Sequence, residues 1–537
     1  MSAPDAGAQA QPVRPREGLL SRIPYHPFLV PLCFAVTVYA RNRFEAEFAD
    51  VLVTVLVLML GAMFLLLALR LLFPSWRHAA AAATALLFFL FYEPSLLLPL
   101  EPNSAGSVAV FAMAAILLLL VLLRLRRMRT HLAALTLVLN VVVLVMPLPD
   151  LWVLAAWIRA DRTEAATPER VYPDLPAPAG SVAATAPDIW LLVPDRYASA
   201  AVLEDHYRFD NSAFIEGLRK RGFVVRDNAF ANYQRTAVSM ASMLNLDYLD
   251  AFLPYVAGID SRDWRPIYRA LEDNRVSRFL SEAGYRIHRF GSYWEPTRRD
   301  PYADEHHNVF DIPDFAFRLL SVSVAGQLAF ATGWGAIDGW YSHCQRLQRQ
   351  FDGLVDLAQR DERKYVLAHL LITHPPFVMD AQGRCQSTTA AAQRDYDQRY
   401  LDSVAVTNAA FERLIDVIQA GKRPAIILLI ADEGPWPGGV EVLKKATFAS
   451  AEMVDWTAMT DRQLAIKTGI LMAQYFPDRA GAALPADQVP VSPVNVFRTV
   501  FRHYFALDLP PLPDRYFIYR DDESLYSYDD VTDRLPR

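Results

Sequence analysis

Four short segments beyond residue 187 contain residues whose types could do chemistry together. Two apolar runs end in an aspartate, Asp195 and Asp432, and a third run is followed by His374 and two prolines. In the fourth segment, Thr236 precedes an apolar stretch with helical periodicity. Carboxylates bind divalent cations, a hydroxyl can act as a nucleophile, and a histidine can transfer protons. Together these residues predict a metal-and-nucleophile site.

Each of these residues also has an alternative, purely structural role. An aspartate such as Asp195 or Asp432 often forms the turn at a strand end, and Thr236 could be an ordinary helix N-cap. Their joint occurrence favours the functional interpretation. Ser239 and Ser242, which lie further along the predicted helix, are expected to be small packing residues.

The elements that position these residues are predicted to form an α/β domain. The buried-strand runs IWLLV, YVLAHLLI and AIILLIA alternate with helical patterns, which predicts a mostly parallel sheet covered on both faces by helices. In such a sheet, ligands bind outside the carboxyl ends of the strands. Asp195 and Asp432 would therefore point into the site, whereas His369 alternates inward within its strand and is expected to be structural.

The first third of the 537-residue chain is predicted to lie largely within a membrane. Crossing a bilayer takes roughly 20 predominantly apolar residues. We expect a cytoplasmic tail over residues 1–26 and a membrane domain over residues 27–150 with about five transmembrane helices. The apolar stretches that carry this prediction are 27–40, 51–73, 79–100, 108–123 and 132–146.

The placement of arginines predicts the orientation of this membrane domain. The tail, the turn at residues 70–77 and the loop at residues 124–129 are rich in arginine and should lie in the cytoplasm. An odd number of spans then puts everything after Met146 outside the cytoplasm. We expect a Pro- and Ala-rich linker over residues 151–187 and an extracytoplasmic catalytic domain over residues 188–537.

The net charge and the cysteines bear on the partners of the protein and on its cellular compartment. The net charge of −6 and the lack of a basic stripe interleaved with aromatic residues argue against a nucleic-acid partner. Cys344 and Cys385 lie in the domain predicted to be external, where a disulfide can persist, but the sequence leaves their pairing open. Within the predicted spans, Glu93 is expected at an interface and Asn140 in helix packing.

The four segments resemble the sulfatase-like hydrolases and transferases of the alkaline phosphatase superfamily, which include lipoteichoic acid synthases and phosphoethanolamine transferases. The stretch TAVSMASML is similar to the nucleophile segment of that family, with Thr236 at the nucleophile position, and HPPF is similar to its histidine motif. The resemblance implies a sulfatase-like fold and a divalent Mn, Mg or Zn ion. It also implies that Asp195, Thr236, Asp432 and Glu433 are metal ligands and that Thr236 and His374 are catalytic.

Two positions depart from the family pattern. The usual Asp-His-Gly reads Asp432-Glu433-Gly434, and Arg196 stands where a glycine is common. Glu433 could supply an oxygen ligand and favour harder ions than zinc, or it could weaken metal binding. The Cys-x-Pro-x-Arg segment that provides a formylglycine nucleophile in sulfatases does not occur. No convincing second set of metal-binding histidines is seen: His306 and His307 are expected to be exposed polar residues, with a place in the lining of the site as the alternative.

The expected function is metal-dependent phosphoryl-group transfer or hydrolysis through Thr236, acting on a lipid-linked or envelope-glycan substrate. The resemblance implies a multi-pass protein of the bacterial inner membrane whose catalytic domain is extracytoplasmic. Three alternatives stay open: a catalytically degenerate domain that binds an envelope glycan or a protein partner, a sulfuric ester hydrolase, or a function of the membrane domain involving Glu93.

Overall fold

The computed structural model describes two compact units. The first comprises Met1–Arg41, Phe48–Ala156 and Ser321–Ala325, and the second comprises Asn42–Glu47, Trp157–Leu320 and Gly326–Arg537. The described residues are 18–46, 48–97, 105–160, 166–177, 187–292, 294–307, 314–321, 323–324, 326, 339–386, 393–437, 443–444, 452–478 and 484–536.

The N-terminal region is helical, as its continuous apolar runs predict. Its helices are Leu19–Arg22, His26–Asn42, Phe48–Leu72, Trp76–Leu97, Ala105–Arg127, Leu132–Val145 and Leu148–Ala160. On the third of these, Leu52, Leu56, Leu60 and Phe64 lie at helical spacing and are each at least 49% exposed. Such an apolar outer face is typical of a helix that contacts lipid or another apolar surface.

Three segments of this region are long and apolar enough to cross a membrane, namely Val51–Leu72, Ala109–Arg127 and Leu132–Ala160. They correspond to the second, fourth and fifth predicted spans. The first and third predicted spans correspond to the helices His26–Asn42 and Trp76–Leu97. The count of five spans stays a prediction, and the cytoplasmic tail before residue 18 lies outside the described residues.

Asn140 packs helices together, as the sequence suggested. Its Oδ1 accepts hydrogen bonds from the backbone N–H groups of Tyr25 and His26, each at 2.9 Å. Its Nδ2 donates to the carbonyls of Leu20 and Ile23 at 2.6 and 2.8 Å. These four bonds occupy the amide fully, so it is not available as a transport ligand. The side chain of Glu93 lies outside the described residues.

The predicted linker is structured over much of its length. Residues 151–160 belong to the helix Leu148–Ala160, because the apolar run LWVLAAWI continues past Pro147 and a proline is tolerated in the first turn of a helix. Ala166, Val171 and Tyr172 are buried in the core of the second unit. Residues 178–186, which include the Gly and Ala of the proposed linker, lie outside the described residues.

The strands of the second unit are β1 (Asp188–Pro194), β2 (Val224–Phe230), β3 (Arg286–Phe290), β4 (Glu305–His306), β5 (Lys364–Leu370), β6 (Ala425–Ile430), β7 (Leu443–Lys444), β8 (Glu452–Met453), β9 (Gly469–Tyr475), β10 (Phe517–Tyr519) and β11 (Tyr528–Asp530). In the described part of the chain, seven of them form one sheet in the order β2-β9-β6-β1-β5-β3-β4. Its pairs are parallel except for those of β9, which runs antiparallel to β2 and β6. The prediction of a helical N-terminal region followed by an α/β domain with a mostly parallel sheet is confirmed.

Every residue of β1, β5 and β6 is buried, so both faces of the sheet are covered at its centre. The α-helices of this unit are Pro168–Val171, Ala200–Asp205, Ser212–Lys220, Thr236–Asn245, Arg265–Glu272, Arg275–Glu282, Glu295–Arg298, Asp314–Ser321, Gly339–Ala358, Tyr396–Gln419, Asp461–Thr468 and Val496–Phe505. Short 3-10 helices span Leu249–Phe252, Leu371–Thr373, Trp456–Ala458, Ala486–Gln488, Pro493–Asn495 and Thr532–Arg534.

The sheet register brings two strand ends to the same level. Leu192 of β1 pairs with Leu429 of β6, so Asp195 and Asp432 each follow three residues later on neighbouring strands. On the other side of β1, Val193 pairs with His369 of β5. The central strands thus place Asp195, Asp432 and His369 together at their carboxyl ends.

The disulfide between Cys344 and Cys385, which the sequence left open, is present. Cys344 of the helix Gly339–Ala358 and Cys385 form a disulfide, with their Cα atoms 5.7 Å apart. The bridge connects this helix to the segment that follows β5 and the HPPF motif.

Candidate active site

The site centres on Asp195, His369 and Asp432. One ligand atom from each residue lies within 4.8 Å of the other two, and all three side chains are buried. His369 Nε2 lies 3.3 Å from Asp195 Oδ2. His369, expected from the sequence to be structural, is therefore part of the group, because β5 and β1 pair in a register that aligns it with the end of β1.

Neighbouring side chains hold these three groups in place. The second ring nitrogen of His369, Nδ1, lies 3.0 Å from Thr297 Oγ1, which orients the ring and leaves Nε2 facing Asp195. The Thr373 hydroxyl donates to the Asp195 carbonyl at 2.6 Å. Asp195 Oδ1, Asp432 Oδ2 and His369 Nε2 are buried without a hydrogen-bond partner. Because buried polar atoms are normally satisfied, these three fit the ligands of a divalent cation.

The two aspartates have opposite electrostatic surroundings. Burial, followed by the charges of Asp195 and Glu433, raises the pKa of Asp432 well above its ordinary value. Burial also disfavours ionised Asp195, but His374, His369 and Arg196 outweigh it and hold the pKa of that carboxyl below its ordinary value. A divalent cation between the aspartates would allow both to ionise.

Thr236 is the first residue of the helix Thr236–Asn245, which follows the polar loop after β2. Arg235 occupies the N-cap position, so Thr236 does not act as an ordinary N-cap. The Thr236 hydroxyl lies close enough to Asp432 to stabilise its carboxylate form, although burial dominates that pKa. A hydroxyl at this helix start also lies next to N–H groups that favour an anion.

The two departures from the family pattern contact each other. Arg196 Nε donates to Glu433 Oε1 at 2.6 Å, and Lys467 Nζ lies 2.9 Å from Glu433 Oε2. The Glu433 and Lys467 side chains are almost fully buried, and that of Arg196 is 17% exposed. We call these three residues the charge triad. Both Glu433 oxygens face cationic groups of the protein, which the sequence pattern did not indicate.

The backbone at these positions explains the residue types. Arg196 has a φ of 62°, in the left-handed region that favours glycine, so its ion pair offsets some conformational strain. A Cβ on Gly434 would lie 2.3 Å from the Ile466 carbonyl oxygen, and therefore only glycine fits there. The Gly434 N–H donates to the Lys467 carbonyl at 2.8 Å, which brings Lys467 to the site.

His374 lies at the end of the short helix that follows β5 and is half-buried. Its Nδ1 faces the Pro375 carbonyl, an acceptor, so Nδ1 carries the hydrogen and Nε2 is free to accept a proton. Burial, together with the charge of Arg196, lowers the pKa of His374 to about 4. At neutral pH this imidazole is therefore an acceptor.

Aromatic side chains form one wall beside the charge triad. Lys467 Nζ lies 5.5 Å from the ring centre of Trp436 and 5.7 Å from that of Trp456. The Arg196 guanidinium lies 5.8 Å from the Trp436 ring centre. These rings stabilise the buried cations and exclude water from them.

Other histidines and serines named from the sequence lie elsewhere. Ser242 donates to the Asp247 carbonyl at 2.7 Å, and Ser239 is buried, in line with packing roles. His306 is exposed, as expected. His307 is only partly exposed and contacts His288 at the far edge of the sheet, so the expectation of an exposed residue is wrong for it.

A family model described as Sulfatase matches residues 187–503 of the chain. No curated protein sequence matches it. Among solved structures, the C-terminal periplasmic domain of EcEptC from Escherichia coli is similar at 11% identity, covering 67% of this chain and 98% of its own, with a TM-score of 0.41.

Two further structures are similar at lower scores. The integral membrane lipooligosaccharide phosphoethanolamine transferase A (EptA) from Neisseria meningitidis has 13% identity, covers 91% of this chain and 95% of its own, and has a TM-score of 0.37. The putative sulfatase yidJ from Bacteroides fragilis has 11% identity, covers 63% of this chain and 82% of its own, and has a TM-score of 0.33.

Proposed function

The chain belongs to the sulfatase family, which its residues 187–503 match, and from that premise we propose that it transfers or hydrolyses a phosphate ester with Thr236 as the nucleophile. The observation that carries this proposal is the convergence of a hydroxyl at a helix start with three unpartnered buried ligand atoms. A hydroxyl is a weak nucleophile unless a base or a metal activates it, and the residues around Thr236 would supply the base and hold the metal.

Asp195, His369 and Asp432 would hold the divalent cation, with the Thr236 hydroxyl beside them. One imidazole and two carboxylates suit zinc or manganese better than calcium. When bound, the cation lowers the pKa of a hydroxyl and offsets negative charge on a phosphoryl group. That Glu433 is itself a ligand stays a prediction, and its pairing with Arg196 and Lys467 favours His369 in that role.

In the proposed reaction, Thr236, His374, Arg196 and Lys467 have separate roles. Thr236 Oγ forms a bond to phosphorus while the bond to the ester oxygen breaks, and the departing alcohol takes up a proton. The unprotonated His374 Nε2 can accept the hydroxyl proton and return it to the leaving oxygen. Arg196 and Lys467 place positive charge near the phosphate oxygens. Attack by an acceptor hydroxyl or water then releases the phosphoryl group and regenerates Thr236.

We place the substrate in the cell envelope. Three helices that are candidates for crossing a membrane precede the domain, and the arginine distribution favours a domain outside the cytoplasm. The Cys344–Cys385 disulfide suits an oxidising compartment. A bacterial inner-membrane protein with this topology would meet a lipid-linked donor or an envelope glycan.

The charge triad favours one other function. With Glu433 neutralising two cations in place of a metal-binding histidine, the domain could bind an anionic envelope glycan without turnover. Sulfate ester hydrolysis remains open for the same site, although the formylglycine segment is missing from the sequence.

The test uses the full-length protein in detergent with Mn²⁺ or Zn²⁺. A chromogenic phosphodiester and the matching sulfate ester are supplied separately, and intact mass reports a phosphoryl adduct after incubation with membrane lipids. We expect phosphodiester turnover and an adduct on Thr236. Thr236→Ala should lose both and Thr236→Ser should keep part of the activity, whereas the control Ser239→Ala should keep the activity and the adduct.

Other outcomes separate the alternatives. Full turnover by Thr236→Ala would refute covalent catalysis through this residue. Turnover of the sulfate ester alone would favour a sulfuric ester hydrolase. Metal binding without turnover of either ester would favour the binding function.

A further inference from the structure

A second group of side chains that could bind a metal lies at the edge of the sheet, on β3, on β4 and on the residue that follows β4. His288, Glu305 and His307 each offer one ligand atom, and the three atoms lie within 4.8 Å of one another. The His288 side chain is fully buried, whereas those of Glu305 and His307 are 27% and 21% exposed. The group is therefore anchored in the core but accessible to an ion from solvent.

The spacing of the three ligand atoms matches a tetrahedral ion. His288 Nδ1 lies 3.1 Å from His307 Nε2 and 3.7 Å from Glu305 Oε2, and His307 Nε2 lies 3.6 Å from Glu305 Oε2. Zinc bonds to nitrogen and oxygen of about 2.0–2.1 Å place tetrahedral ligand atoms roughly 3.4 Å apart. The observed triangle brackets this separation, so an ion would require shifts of only about 0.3 Å.

A carboxylate behind His288 selects the required tautomer. His288 Nε2 lies 3.2 Å from Glu362 Oε1, and both atoms are buried without a hydrogen-bond partner. The negative charge of this nearby carboxylate favours a proton on Nε2, which leaves Nδ1 with a lone pair facing His307. A carboxylate behind a histidine ligand is the usual support of a zinc-binding imidazole.

Two arginines compete for the carboxylate of the group. Arg286 donates to Glu305 Oε1 at 2.6 Å and Arg360 donates to Oε2 at 2.9 Å. Each carboxylate oxygen can accept two bonds, so Oε2 keeps one free position. The Arg360 side chain is 46% exposed and can turn into solvent when a cation binds. These contacts lower the affinity for an ion without blocking the site.

This group is separate from the active site. His288 pairs with Val366 of β5, which precedes His369 by three residues, or about 10 Å along the strand. The two groups share no ligand residue, and β3, which carries His288, only pairs with β5, which carries His369. Loss of one site should therefore leave the other in place.

We propose that His288, Glu305 and His307 form a second metal site, for zinc or a similar transition-metal ion with a solvent molecule as the fourth ligand. Two imidazoles and one carboxylate favour such an ion over Mg²⁺ or Ca²⁺. The bound ion connects β3 to the two-residue strand β4, and so holds β4 and the following residue, His307, against β3.

The experiment measures Zn²⁺ binding to the chelator-stripped, full-length protein in detergent, in competition with a chromophoric chelator. Asp195→Ala is the background, so that the active-site group does not contribute. We expect one equivalent of Zn²⁺ in this background and loss of that equivalent in His307→Gln. His306→Gln is the matched control, because it changes the adjacent, exposed histidine, and it should bind as the background does.

Glu362→Gln gives a graded readout that does not remove a ligand. Loss of the carboxylate near His288 Nε2 should weaken Zn²⁺ binding by about 10–100-fold. Co²⁺ bound to the Asp195→Ala background protein should show the visible absorption of a four-coordinate ion. Unchanged Zn²⁺ binding in both His307→Gln and Glu362→Gln, or an equal loss in His306→Gln, would overturn the proposal. If His307→Gln fails to fold, Glu362→Gln and the Co²⁺ spectrum decide the question.

Discussion

Glu433→Gln is the most informative change in the charge triad, because it removes one charge that two buried cations share. The Glu433 side chain is 1% exposed and lies 2.6 Å from Arg196 and 2.9 Å from Lys467. Removing one partner of a buried ion pair costs about 3–5 kcal/mol, since the remaining charge stays desolvated. Burial already lowers the pKa of Lys467 to about 8 against the opposing effect of Glu433. Without Glu433 this lysine can release its proton at neutral pH, so we expect a loss near the lower limit, about 3 kcal/mol.

The assay is thermal unfolding of the metal-free, full-length protein in detergent, followed by tryptophan fluorescence. At roughly 2 °C per kcal/mol for a domain of this size, Glu433→Gln should lower the melting temperature by about 6 °C. Glu216→Gln is the matched control. It breaks an ion pair of similar length, 2.7 Å to Arg219, whose side chains are 56% and 39% exposed. Surface pairs contribute about 0–1 kcal/mol, so this control should change the melting temperature by no more than about 2 °C.

Arg196→Gly removes one of the two cationic partners of Glu433 instead of Glu433 itself. Glu433 then keeps Lys467 as a partner, and glycine adopts the left-handed backbone of residue 196 without strain. The loss of stability should be smaller than for Glu433→Gln. The proposed role of Glu433 is refuted if Glu433→Gln and the Glu216→Gln control have the same melting temperature. It is also refuted if Arg196→Gly lowers the melting temperature more than Glu433→Gln does.

Three further predictions concern the metal, the pH dependence and the topology. Asp195→Ala and His369→Ala should each reduce the bound divalent metal by one equivalent, measured by elemental analysis, and unchanged content would put the site elsewhere. Because the pKa of Lys467 is about 8, its charge is present below pH 8 and lost above it, so the KM for a phosphodiester should rise with pH above 8. Lys467→Arg, which stays charged, should abolish that rise, and an identical profile would exclude Lys467 from anion binding. A reporter fused after Arg162, outside the described residues, should be active only outside the cytoplasm, and cytoplasmic activity would contradict an odd number of spans.

Local patterns were sufficient for the elements and for part of the candidate site. The short apolar runs IWLLV and AIILLIA are strands that are buried on both faces of the sheet, where a strand has continuous apolar sequence, and each is followed by the aspartate that the pattern singled out. Thr236 begins a helix, as the polar loop before it and the apolar period after it predicted. The helix Leu148–Ala160 covers the start of the segment assigned to the linker, and the boundary of that linker stays a prediction.

Contacts between distant segments were decided by the tertiary structure alone. His369 joins Asp195 because of the register between β1 and β5, which a single sequence does not reveal. Arg196 and Glu433 are 237 residues apart, so neither departure from the family pattern indicates by itself that the other compensates for it. A strand or a helix follows from the period of its own residues, whereas a site depends on strand order, register and side-chain direction, which only the folded chain specifies.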